Sequence, residues 1–95
     1  IRDRLDFNAA ITGGADFASA KLNKASLLAE QGQMVPALQL MDESVEEHPD
    51  QAQLYLNRGL IRELTGDLKG ACEDWYKAIE LGAEEAREFV NECDQ

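Results

Sequence analysis

Shifting the chain by 34 residues lays Leu22 on Leu56, Asn23 on Asn57, Lys24 on Arg58, Ala25 on Gly59, Gly32 on Gly66, Ala37 on Ala71 and Val45 on Ile79. A fixed period of this length restricts the fold more than any other feature of the sequence. Each period must be one supersecondary unit that cannot bury its apolar face alone, so neighbouring units have to stack. Residues 57–82 read as two short amphipathic helices joined by a tight turn, with Gly59 and Ala78 as small residues where the helices approach closely. Helix formers such as Ala, Leu, Glu and Gln recur and β-branched runs are absent, which favours an all-α fold.

Taken in order, residues 1–14 carry Leu5, Phe7, Ala10 and Ile11 on one helical face before Gly13 and Gly14. The same shift run backwards sets Phe7 under Met41 and Trp75, so this stretch reads as the second helix of a preceding repeat. Its first helix is missing and the chain opens on Ile1, which gives the expectation of a fragment with an apolar N-terminal edge. Asp16 is the expected N-cap of a helix over 17–31 with Ala18, Leu22, Ala25 and Leu28 on its stripe, ended by Gly32. Pro36 falls in the first turn of the next helix, where its missing N–H is harmless, and Ala37, Leu38, Met41, Ser44 and Val45 supply the buried face up to Pro49. Asp50 and Gln53 have the spacing of a capping box for a helix over 51–65. Asp67 then caps a helix bearing Leu68, Ala71, Cys72, Trp75, Ala78 and Ile79, which Gly82 ends. Residues 83–95 are expected to form a closing helix with Ala86, Phe89, Val90 and Cys93 inward and Glu84, Glu85, Glu88 and Glu92 elsewhere.

This pattern resembles the tetratricopeptide repeat (TPR). The resemblance covers essentially the whole chain as a single domain: a half repeat at 1–14, full repeats at 17–50 and 51–84, and a capping helix at 83–95. Ala25 and Gly59, Ala37 and Ala71, and Ser44 and Ala78 match three places where the family has small residues, and Pro49 matches its closing proline. The chain departs from the family at Ala83, which replaces the second closing proline, and at Lys21 and Arg62, which stand where large aromatics are common. Tyr55 obeys the pattern. The resemblance implies a right-handed α-solenoid of antiparallel helix pairs whose concave surface is lined by the first helix of each pair, a surface on which many members bind an extended peptide.

Carried onto this sequence, the concave residues are Ser19, Leu22, Asn23, Ser26 and Glu30 from one helix, and Gln53, Leu56, Asn57, Leu60 and Leu64 from the next. A carboxamide both donates and accepts, so Asn23 and Asn57, one repeat apart, are candidates for holding the backbone of an extended ligand, with the leucines beside them for apolar contact. The basic residues with which some members clamp a C-terminal carboxylate are replaced by Ser19, Leu22, Gln53 and Leu56, which disfavours that ligand. The alternative is self-association through the edge at Leu5, Phe7 and Ile11, giving a homo-oligomer.

A net charge of −10, from 19 acidic and 9 basic side chains, argues against nucleic acid and anionic membrane surfaces. No apolar run approaches the ~20 residues needed to span a bilayer, and no targeting segment is visible in this stretch. Nothing points to an enzyme, a cofactor or a metal. His48 is the single histidine, the acidic groups lack a calcium-loop pattern, and no phosphate-cradling glycine loop ends in lysine. Cys72 and Cys93 lie about equally far from the turn at Gly82 and Ala83. An antiparallel hairpin would set them side by side, either as a disulfide or as two buried thiols.

Overall fold

In the computed structural model the described residues are 16–93, with side chains described from Ala20 onward. The expectations for 1–14, including the edge at Leu5, Phe7 and Ile11, lie outside them. Among the described residues four α-helices follow one another: α1 (Asp16–Glu30), α2 (Met34–Glu47), α3 (Ala52–Leu64) and α4 (Leu68–Glu80), and then two 3-10 helices, η1 (Glu84–Glu88) and η2 (Val90–Glu92). No strand occurs among the described residues. Each helix packs on the next, and α1 also reaches α3, so the chain is an all-α stack of antiparallel helix pairs.

The turns show why glycine recurs at this period. Gly32, Gly66 and Gly82 all have positive φ, at 83°, 92° and 109°. Each sits just past a helix whose last carbonyls lack intrahelical donors. Gln33 N–H donates to Leu28 at 2.8 Å, Asp67 N–H to Arg62 at 2.9 Å and Ala83 N–H to Ala78 at 2.8 Å, the same six-to-one closure three times. α2 ends differently, at His48 before Pro49, with Gln51 N–H donating to His48 at 3.2 Å. At helix starts, the Asp67 carboxylate accepts from Gly70 N–H at 2.9 Å, a full N-cap. The capping box read at Asp50 and Gln53 does not form. The N-cap is Gln51 without a side-chain bond, and Gln53 instead donates to Glu85 at 3.2 Å.

All three pairs of small positions are buried: Ala25 and Gly59, Ala37 and Ala71, Ser44 and Ala78. The pairing is matched to its partner. In the second repeat the fully buried Trp75 lies so close to α3 that a Cβ on Gly59 would stand 2.5 Å from the indole nitrogen and 2.7 Å from Cδ1. In the first repeat a flexible Met41 takes the place of Trp75, and there the small residue is alanine.

The C-terminal segment departs from the expected α-helix. Ala86, Phe89 and Cys93 N–H groups donate three residues back, to Ala83, Ala86 and Val90. Residues three apart eclipse in this geometry, which puts Ala83, Ala86 and Phe89 in one line against α4. Phe89 stacks on Trp75 with centroids 5.3 Å apart. Cys72 of α4 and Cys93 are joined by a disulfide with Cα atoms 5.8 Å apart.

Candidate partner-binding surface

α1 and α3 are the first helices of the two pairs, and the structure distributes their candidate residues between interior and surface. Leu22, Ser26, Leu56, Asn57 and Leu60 are buried. Asn23, Glu30 and Leu64 are exposed, Gln53 is half-buried, and the side chain of Ser19 lies outside the described ones. The two asparagines therefore do not form a matched accessible pair. Asn23 faces solvent on α1, whereas Asn57 is 0% exposed because α3 is packed by α1, α2 and α4 together. The equivalence read from one period breaks because α3 is an inner helix of the described stack.

Local chemistry explains how polar side chains survive on these faces. Ser26 Oγ donates to the Leu22 carbonyl at 2.9 Å within α1. Asn57 Nδ2 donates to the Gln53 carbonyl at 2.7 Å, yet its Oδ1 is buried without a donor. Gln53 Oε1 is buried without a donor as well. Residues 53 and 57 are one helical turn apart, so two unsatisfied acceptors share one face of α3. Leaving such groups unmatched costs about 1–3 kcal/mol each.

A second polar cluster escaped the repeat reading. Asp74 of α4 is buried and receives Arg58 through both oxygens, Nε at 3.0 Å and Nη2 at 2.9 Å, while Arg62 Nη1 adds a third bond at 3.1 Å. Arg58 Nη1 continues to Asp42 of α2 at 3.1 Å, and the guanidinium lies 5.7 Å from the Tyr55 ring centroid. The bonds to Asp74 hold the Arg58 guanidinium protonated more firmly than usual, against the opposing effect of burial. The signal was present in the sequence: the shift sets Lys24, Leu28 and Leu40 against Arg58, Arg62 and Asp74, so two basic residues and one acid arise together only in the second repeat.

The departures from the family's aromatic places resolve the same way. Tyr55 donates its hydroxyl to the Pro49 carbonyl at 2.9 Å, pinning α3 to the preceding turn. Lys21, its counterpart, instead reaches forward to Glu47 at 2.9 Å and Glu43 at 3.3 Å on α2. An aromatic anchor is thus replaced by an exposed ion pair.

Among the described residues no group of three or more His, Cys, Asp or Glu stands together to hold a metal ion. None of their helices is long and apolar enough to cross a membrane.

Stacked antiparallel helix pairs, closed at one period by glycine turns and packed through small residues, define a helical-repeat protein. Comparison with known proteins agrees. Mouse (Mus musculus) tetratricopeptide repeat protein 36 is 34% identical over 92 residues, covering 87% of this chain and 50% of its own length. The zebrafish (Danio rerio) protein of the same name is 42% identical over 53 residues, covering 56% of this chain and 28% of its own. Human (Homo sapiens) tetratricopeptide repeat protein 16 is 30% identical over 69 residues, 73% of this chain and 8% of its own. The chain thus spans half or less of the length of these relatives. No family model matches the chain. It belongs to the tetratricopeptide-repeat family, which makes it a protein-interaction module in general.

Proposed function

We propose that the chain is a non-catalytic module whose concave face, along α1 and α3, binds an extended peptide of a protein partner, within a single domain built as repeats 17–50 and 51–84 of a right-handed superhelix. The carrying observation is the pair of buried acceptors without donors, Gln53 Oε1 and Asn57 Oδ1, one turn apart on α3. An extended peptide presents backbone N–H groups along its length, which is the chemistry those oxygens lack. In this reading Asn23, Gln53 and Leu64 form the accessible rim. Leu22, Ser26, Leu56 and Leu60 form the floor, which a ligand reaches with a modest opening between α1 and α3.

The test is a selection of unstructured decapeptides against the whole chain, followed by titration of the selected peptide into variants. Asn57→Leu is expected to leave thermal stability within about 1 kcal/mol, since it removes an unmatched acceptor along with one amide bond, and to weaken the peptide at least tenfold. Asn23→Ala, on the surface, should weaken it less. Unchanged affinity in both variants would sink the proposal.

A further inference from the structure

The last ten described residues are held to the stack by little of their own structure. η1 and η2 close on three-residue turns, with Ala86 N–H donating to Ala83 at 3.0 Å, Phe89 N–H to Ala86 at 3.0 Å and Cys93 N–H to Val90 at 2.9 Å. Such turns have poorer hydrogen-bond geometry than an α-helix and are rarely stable in isolation. Attachment to α4 comes from the buried Ala86, from the Phe89 ring on Trp75, and from the Cys72–Cys93 disulfide. Under this segment lies an apolar face of α4. Trp75 and Cys72 correspond, one period on, to Met41 and Leu38 of α2, the helix on which α3 stacks. The segment therefore occupies the place where a further helix would continue the array.

The bond that fixes it is within reach of solvent. Both cysteines are half-buried, and they line an open groove of about 430 Å³ together with Leu68, Lys69, Tyr76 and Glu92.

We infer that Cys72–Cys93 is a redox latch on the C-terminal segment: a dithiol reductant entering the groove frees residues 84–93 from α4 and uncovers the Trp75 face. One thiolate of the reductant attacks a protein sulfur, forming a mixed disulfide and expelling the other cysteine as a thiolate. The reductant's second thiol then resolves the mixed disulfide. Two electrons pass to the protein, the reductant leaves as its own disulfide, and Cys72 and Cys93 end as thiols. Without the covalent tie the segment is left with non-covalent contacts such as buried Ala86, the Phe89 ring on Trp75 and the Gln53–Glu85 hydrogen bond, so it opens locally while α1 to α3 stay folded.

The experiment uses the whole chain, oxidised and then treated with dithiothreitol under native conditions. Amide exchange is followed by mass spectrometry and Trp75, the single tryptophan, by its emission wavelength. Intensity alone is a poor readout, because removing a neighbouring disulfide changes quenching without any motion. Thiol titration in denaturant should find none before reduction and two after it, matching the two cysteines. Reduction should abolish exchange protection over residues 86–93 and move the Trp75 emission to longer wavelength, with α1 to α3 still protected. Cys93→Ser should show the open pattern without reductant and no response to it. Free thiols in the oxidised protein, unchanged protection over 86–93 after reduction, or loss of protection along the whole chain would each overturn the latch.

Discussion

Asp74 is the one buried charged residue among those described, and a carboxylate taken out of water survives only with its bonds made. Its oxygens accept from Arg58 and Arg62, and its side chain is 4% exposed against 56% for Asp42, which meets the same Arg58. Asp74→Ala would strand two guanidinium groups and is expected to cost about 3 kcal/mol by chemical denaturation. Asp42→Ala should cost under about 1 kcal/mol, being an exposed pair. A Asp74 loss no greater than that of Asp42 would mean the cluster is incidental to stability. At Lys21 the contact is exposed, and its effect is read most directly in titration. The bond to Lys21 holds the Glu47 carboxyl below its ordinary value, and the same bond holds the Lys21 ammonium above its own. The Glu47 contribution is therefore present above its ordinary value and lost as pH falls through the lowered one. That of Lys21 is present below its ordinary value and lost as pH rises through the raised one, so the contact is intact across the neutral range. Lys21→Ala should move the Glu47 midpoint upward in an NMR titration, and an unmoved midpoint would show that the pair does not form in solution.

At the scale of the element, the stops are better specified than the starts. Three helices end on glycines with positive φ, a conformation costly for any residue with a Cβ, and these glycines are visible in the sequence as punctuation. Only Asp67, of the N-caps at α2, α3 and α4, makes a side-chain bond. Asp67→Ala should accordingly lower stability by about 1 kcal/mol. Asp50→Ala, outside the cap that forms, should change it by less than about 0.5 kcal/mol. Equal losses would restore the capping box that the sequence spacing suggests. The C-terminal segment shows how tertiary contact overrides propensity: Glu84, Glu85, Ala86 and Arg87 favour an α-helix, yet lining Ala83, Ala86 and Phe89 along α4 requires a three-residue turn.

For the whole molecule, stability comes from contact between successive units rather than from one central sheet or bundle. The disulfide closes the final unit across a separation of 21 residues. In the chain-entropy account a loop of that size is worth about 3 kcal/mol, so the oxidised chain should exceed Cys72→Ser/Cys93→Ser by that order in a denaturant titration. A difference near zero would place the segment's anchorage in its non-covalent contacts, Phe89 and Ala86 foremost. The proposed groove touches the C-terminal segment where Gln53 donates to Glu85 at 3.2 Å, so peptide affinity is measured in both the oxidised and the reduced chain to learn whether the two surfaces are coupled.

The sequence by itself determined the period, the helix pairs, the glycine stops and the small residues at the contacts, because all of these are set by spacings of three, four and 34 residues that a single chain displays directly. Why glycine stands at 59 and alanine at 25 came only with the structure, in which Trp75 presses on α3 where a Cβ at 59 would sit. The tertiary structure alone decided that Asn57 is interior while Asn23 faces water, that Arg58, Arg62 and Asp74 converge, and that the last segment winds as 3-10 turns held to Cys72. Each of those depends on which neighbour covers a helix, and repeats that look alike along the chain differ in what is stacked against them.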